Sequence, residues 1–263
     1  MNLRRTAAVA ALVVATLSSA TAVATASQST PTHQLTVVTY NVGDPSNANV
    51  ADDLRRLAQR RPAVIGLQEV ADRDELLGRL APRIGYRIYQ PSAGEASKHN
   101  AILVRRDVRL RSQNIVKISD RTYVGHNTAG ARGSGYTAAK YISLVRVRVD
   151  GRDWVVGNVH LVPSAEKKGN TLTRALHHRQ TVRSSEWFDN RVLEPVLVGD
   201  FNAEPDSPLL APLRKVAKAS SADSHGRRSI DIVWSAKDTR TQARALSGYS
   251  SDHRPVEVTI TAR

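Results

Sequence analysis

Apolar and polar positions along this chain alternate in many short runs and fall into helical spacing in only a few. Leu35, Val37 and Thr39 share one face of a period-two pattern and Thr36, Val38 and Tyr40 the other, so residues 35–42 predict a strand apolar on both faces near its middle. Asn49 stands where a helix would be capped, before Val50, Leu54, Leu57 and Ala58 at helical spacing, and Pro62 ends that run. Residues 63–68 predict a second buried strand, and Leu76, Leu77 and Leu80 a second short helix. Further strands are predicted over residues 86–89, 101–104, 108–118, 140–149, 153–161, 196–198, 229–234, 239–246 and 255–261. Asp150-Gly151 is a hairpin turn. The spacing predicts a helix over 167–187 with Leu172, Leu176, Val182 and Trp187 inward, and a short one over 207–217. Residues 92–100, 123–137 and 220–229 read as polar loops. Many short strands with few helices predict sheet packed on sheet with helices outside.

Composition places this domain after a leader. Arg4 and Arg5, the apolar run 7–17 and the small residues Ala24-Thr25-Ala26 read as a secretory signal peptide over residues 1–26. The apolar run is short for a membrane span, no second one follows, and the mature protein is expected to be secreted without a transmembrane segment. Residues 27–34 read as a flexible lead-in and 35–263 as one catalytic domain, with a monomer expected. There is no cysteine, which excludes disulfides, thiolate chemistry and cysteine-based zinc sites. The net charge of +14 favours anionic partners: nucleic acid, an anionic membrane surface or small phosphorylated molecules.

The chemistry-bearing positions lie where apolar runs stop. Val196 to Val198 end in Gly199-Asp200-Phe201-Asn202, and period two puts Asp200 and Asn202 on one face. A carboxylate and a carboxamide suit Mg²⁺ or a phosphate oxygen, although Gly, Asp and Asn also make ordinary turns. Asn41, Glu69, His160, Asp231 and the Asp252-His253 pair likewise stand at or beside strand ends. Polar groups there are costly unless they serve one another or a ligand, and converging carboxylates call for a divalent cation: Mg²⁺, with Mn²⁺ or Ca²⁺ as the other oxygen-loving choices. Asn158 reads as a strand hydrogen-bond partner, His177 and His178 as helix surface, Trp154 and Trp234 as core.

The ordered runs TYNVG, IGLQEV, GNVHL, VGDFNAEP, SIDIVW and SSDHRPV, spread over residues 35–260, resemble the motif set of the endonuclease/exonuclease/phosphatase superfamily. That resemblance implies an α/β (α+β) fold, a four-layered α/β sandwich of two packed mixed β-sheets flanked by helices. It implies a metal-dependent phosphodiesterase acting by direct water attack. Asn41 and Glu69 resemble the residues that hold the catalytic metal, and Asp252 a further metal ligand or water bridge. His160 resembles the histidine that hydrogen-bonds the scissile phosphate, Asp200 the carboxylate that serves the attacking water, and Asn202 the amide on a phosphate oxygen. His253 resembles the general base or acid, oriented by Asp231. Asn100 and Lys140 lie where some relatives contact substrate. Basic loops around Arg121, Arg132, Arg227 and Arg228 favour nucleic acid, DNA or RNA, as substrate. A sphingomyelinase or phospholipase C acting on anionic or choline phospholipid is the alternative, weakened by having only two Phe and no evident aromatic hairpin. A phosphomonoesterase on small polyphosphates is the third reading.

Overall fold

In a computed structural model the described residues are 32–43, 49–93, 95–125, 134–190 and 192–263. The leader read over 1–26, most of the lead-in, and Arg132 lie outside them. Two six-stranded sheets carry the fold. The first runs β13 (Arg240–Ala245), β14 (Val256–Ala262), β1 (His33–Asn41), β2 (Val64–Gln68), β4 (Asn100–Arg105), β3 (Tyr86–Tyr89). The second runs β11 (Lys218–Ser221), β12 (Asp231–Ser235), β10 (Glu194–Asp200), β9 (Arg152–His160), β8 (Lys140–Val149), β5 (Arg109–Ser119). Each sheet has one parallel pair at its centre, β1 with β2 and β10 with β9, and antiparallel neighbours outward. The two sheets therefore share one plan, and their central strands are buried on both faces, which is why they read as nearly unbroken apolar runs.

Period two sorts the strand residues into layers. Leu35, Val37, Val64, Val156, Val196, Val198, Val258 and Trp154 meet between the sheets. Val38, Tyr40, Ile65 and Leu67 face outward, covered by Leu54 and Leu57 of α1 (Val50–Gln59) and Leu77 and Leu80 of α2 (Asp74–Arg83). On the other side Val159, Leu197, Ile232 and Trp234 pack with Trp187 and Phe188 of α3 (Thr171–Asp189) and Leu213 of α4 (Ala211–Val216). The result is helix, sheet, sheet, helix. The sheets approach closely at Gly66, where an added Cβ would lie 2.5 Å from Val198 Cγ2. Asn158 bridges the gap: its Nδ2 donates to Leu67 O and Ala101 O at 2.8 and 2.9 Å, and its Oδ1 accepts from Gln68 Nε2 at 2.6 Å. Trp154 and Trp234 are fully buried.

Several expectations change. β1 begins at His33, inside the segment read as lead-in, because β14 is long enough to pair His33 with Ala262. Asn49 does occupy the N-cap position, but its side chain makes no capping bond. The loop 92–100 contains a 3-10 turn over Glu95–His99, and Asn100 already belongs to β4. The loop 123–137 is flanked by a ribbon of β6 (Thr122–Tyr123) and β7 (Tyr136–Thr137), with 126–133 outside the described residues. In α3, Leu172 is 51% exposed and His177 is fully buried, the reverse of the sequence reading.

Candidate functional site

The shared plan of the sheets puts one kind of strand end in one place. Asn41, Gln68, His160 and Asp200 are the last residues of β1, β2, β9 and β10, the four central parallel strands. Their antiparallel neighbours begin at the same end: Asp231 opens β12 opposite Asp200, Asn100 opens β4 opposite Gln68, Lys140 opens β8, and Asp252 and His253 precede β14. Ligand sites in α/β sheets lie outside the carboxyl ends of the strands.

Side-chain contacts join most of these residues. Asn41 Nδ2 donates to Glu69 Oε1 at 3.1 Å and to Asp200 Oδ2 at 3.0 Å, while its Oδ1 accepts from Gly43 N at 2.9 Å. His160 Nε2 is 3.6 Å from Asp200 Oδ2 and 3.9 Å from Glu69 Oε1. Asp200 Oδ1 accepts from Asn202 N at 2.8 Å, and Asn202 Nδ2 donates to Leu161 O at 3.1 Å. The Asp200 turn leaves no room for a side chain at Gly199, where a Cβ would lie 2.0 Å from Val159 O. His253 Nδ1 pairs with Asp231 Oδ2 at 2.7 Å, and both side chains are buried. Asn100 is buried with Nδ2 donating to Tyr141 O at 2.9 Å, which makes its amide a link between β4 and β8. Asp252 is 68% exposed, with Oδ2 3.4 Å from His225 Nε2 and Oδ1 accepting from Ser251 Oγ at 3.3 Å.

The electrostatics follow from burial and from these neighbours. Burial, helped by the charge of Asp231, pushes the Asp200 carboxyl up to about 7. Burial drives His160 well below its ordinary value, with Lys140, His99 and His253 adding repulsion. For His253 burial acts downward, but the hydrogen bond and charge of Asp231 outweigh it and raise the ring to about 9. Lys140 is pushed down to about 8 by burial of its ammonium end, against the pull of Asp200 and Glu69, although the residue as a whole keeps some surface. An imidazole raised to about 9, an imidazole held well below its ordinary value and a carboxyl raised to about 7 thus stand together at these strand ends.

The donor set fits a hard cation at Glu69. Its carboxylate is 36% exposed and borders Asn41, His160 and Asp200, and a cation there would relieve the crowding of acids that burial alone penalises. In this arrangement Asn41 turns its NH₂ to the carboxylates, so it orients Glu69 and Asp200 rather than offering its own oxygen. Among the described residues two three-membered clusters have ligand atoms within 4.8 Å of one another: Asp200, Asp231 and His253, and His225, Asp252 and His253.

The Endonuclease/Exonuclease/phosphatase family model matches residues 38–253. The chain belongs to that family. Its members are phosphoric ester hydrolases that typically use divalent metals. No curated protein sequence matches the chain. Solved structures do. A family protein from Bacteroides thetaiotaomicron is similar with a TM-score of 0.64 at 15% identity, over 89% of this chain and 97% of that one. A mannosyl-6-phosphatase from the same organism gives 0.59 at 15%, over 86% and 99%. ANGEL2, a 2′,3′-cyclic phosphatase in complex with adenosine-2′,3′-vanadate, gives 0.61 at 14%, over 88% and 96%. At such identities the likeness is one of fold, and it agrees with the two mixed sheets flanked by helices.

Other residues support the site without having been singled out by pattern. Asp53 of α1 is fully buried and accepts from Tyr40 OH at 2.6 Å, from Ser250 N at 3.0 Å and from Ser250 Oγ, so it ties the Ser250–His253 loop to β1 and α1. Its signal was its place among Val50, Leu54 and Leu57 on the inward face of a helix. Ser251 Oγ donates to Asn41 O at 2.9 Å and accepts from His253 N at 3.1 Å. His177 meets Phe201 O at 2.8 Å and so braces the Asp200 turn from behind. No spacing rule singles out His225.

Proposed function

We propose that the chain is an exported, divalent-metal-dependent phosphodiesterase that hydrolyses nucleic acid, DNA or RNA, by direct attack of water. The observation that carries this reading is the buried Asp231–His253 pair of 2.7 Å on the same strand-end cleft as Glu69, Asn41, His160 and Asp200. Glu69 is the carboxylate that would hold the cation, with Asn41 orienting it. A cation there, Mg²⁺ or else Mn²⁺ or Ca²⁺, would supply neutralisation of the charge on the phosphate. Asp200 positions the attacking water and takes its proton, a role suited to a carboxyl near neutrality. Asn202 and His160 donate to the phosphate oxygens. His253, kept protonated by Asp231, gives a proton to the leaving oxygen. Lys140 and Asn100 border the cleft from β8 and β4, and Lys140 adds positive charge beside the phosphate.

The charge, +14 for the full sequence and about +12 without Arg4 and Arg5 of the leader, supports a polyanionic substrate, and the likeness to a 2′,3′-cyclic phosphatase supports a phosphodiester, since a cyclic phosphate is itself one. A second reading, a phosphatase on small phosphate esters, draws on the likeness to a mannosyl-6-phosphatase. The lipid alternative keeps one structural handle: Tyr123 and Tyr136 are both 42% exposed and packed edge to face on the β6–β7 ribbon. The test is a side-by-side assay on plasmid DNA, RNA, sphingomyelin, a sugar phosphate and a generic phosphodiester. With Mg²⁺ or Mn²⁺ the plasmid is nicked, EDTA abolishes the cleavage, and His253→Ala lowers it on the order of 10²-fold or more. Intact nucleic acid beside a cleaved lipid or sugar phosphate replaces the substrate reading. Undiminished cleavage by His253→Ala removes the mechanism.

A further inference from the structure

The segment between β11 and β12 folds back on itself. Ser224 N and His225 N donate to Arg228 O at 2.9 and 3.0 Å, and Arg228 N returns a bond to His225 O at 2.9 Å. Arg254 N then donates to Ser224 O at 2.6 Å, and His225 and His253 form a β-bridge. This turn therefore runs beside the loop that carries Asp252 and His253. The His225 and His253 rings lie 4.6 Å apart with a 40° tilt. His225 Nε2 is 3.4 Å from Asp252 Oδ2, and one donor atom from each of the three residues lies within 4.8 Å of the others.

A separation of 3.4 Å is long for an N–H···O bond but matches the edge of a tetrahedron whose metal–ligand bonds are about 2.1 Å. The Nδ1 edge of His253 is taken by Asp231 at 2.7 Å, which leaves Nε2 as its open edge. A carboxylate behind the far nitrogen is the usual support of a metal-bound histidine, and the charge that favours a proton on the ring equally favours a metal ion in its place. The side chains of His225 and Asp252 are 41% and 68% exposed, so an ion reaches them from solvent without rearrangement of the core. Two imidazoles with one carboxylate select borderline transition metals over Mg²⁺, which demands oxygen.

We propose that His225, Asp252 and His253 form a second metal site, selective for a zinc-class ion and separate from the cation held at Glu69. Filling it withdraws His253 from proton transfer, so zinc inhibits the Mg²⁺-supported reaction. That consequence, unlike the site, rests on the catalytic role given to His253.

Calorimetry of the full chain with Zn²⁺ in excess Mg²⁺ tests the site, with Co²⁺ absorption reporting its geometry. One Zn²⁺ binds, Co²⁺ shows the intense bands of a four-coordinate site, His225→Gln weakens binding at least about tenfold, and Glu69→Gln leaves it in place. Unchanged affinity in His225→Gln, or loss of zinc in Glu69→Gln, overturns the site. Where the chain hydrolyses its substrate, His225→Gln keeps the Mg²⁺ rate and escapes zinc inhibition. If zinc binds through His225 but no phosphoric ester is cleaved, the catalytic reading falls and the site stands. If the ester is cleaved and zinc binding ignores His225, the site falls alone.

Discussion

Glu69 and Asn202 have φ values of 63° and 53°, a left-handed backbone that non-glycine residues enter at about 1 kcal/mol or more. Asn tolerates it best, and Asn202 offsets the cost with bonds to Asp200 and Leu161. Glu69 holds its turn beside the point where a cation is expected, which is the usual place for such strain. The Asp231–His253 pair is the other residue-scale device, and it makes a prediction with two readouts. Asp231→Asn keeps the size of the side chain but removes the charge that raises His253 to about 9. The His253 ring, followed by NMR in EDTA, should then titrate back toward 6.5, and turnover should fall on the order of 10²- to 10⁴-fold. The sign also fixes a stability term. A histidine raised on folding stabilises fully below its unfolded value and loses that contribution as pH climbs through about 9, so Asp231→Asn should flatten the alkaline limb of the melting curve. An unshifted ring would mean that the pair does not set its charge.

At the scale of elements, legibility followed how each one is buried. β1, β2, β9 and β10 are apolar on both faces, so their ends, and the polar residues standing at them, could be read directly. α3 could not. Its buried face carries Thr173, His177, Gln180, Thr181, Ser184 and Ser185: Thr181, Ser184 and Ser185 donate back to carbonyls of α3 itself, while Gln180 Oε1 accepts from Val162 N at 2.9 Å and Gln180 Nε2 reaches Ser119 Oγ at 3.0 Å. A rule that assigns leucine inward and histidine outward places Leu176, Trp187 and His178 correctly and misplaces Leu172 and His177 on such a helix. His225 escaped for a related reason, since its partners are 27 and 28 residues away and no period connects them. Asp53 shows how an element holds a loop. Burial opposes its charge, but bonds from Ser250 and Tyr40 outweigh that and keep its carboxyl below the usual range. Such a group stabilises above its unfolded pKa and loses the contribution as pH falls through the lowered folded one. Asp53→Asn should therefore destabilise the fold on the order of 1 kcal/mol at pH 7, through weakened hydrogen bonds to a charged acceptor, and less in acid, read from denaturant melts at both pH values. Because the Ser250–His253 loop is released, activity should fall with stability. A pH-independent loss would remove Asp53 as the anchor.

For the whole molecule, both sheets turn the carboxyl ends of their central parallel strands to one edge, so residues as far apart in sequence as Asn41 and His253 gather there. The catalytic centre is then common to any substrate that offers a phosphoric ester, and the surface decides which one arrives. Much of the basic surface is already matched internally: Arg60 and Arg244 hold Glu257, Arg146 holds Asp153, and Arg228 reaches Glu166 and Glu204. Arg121 lies over the Tyr136 ring at 4.3 Å on the β6–β7 ribbon. The surplus, +14 for the full sequence and about +12 without Arg4 and Arg5 of the leader, must still act on a polyanion as a long-range field, and a field is distinguished from a contact by salt. Raising the salt from 50 to 200 mM should cut kcat/KM on DNA or RNA on the order of tenfold or more through counterion release. A small generic phosphodiester has no counterion atmosphere to release, and its hydrolysis in the same cleft should change less than about twofold. Equal salt dependence for both would place the effect on the metal or on the fold and leave the charge without a part in choosing the substrate.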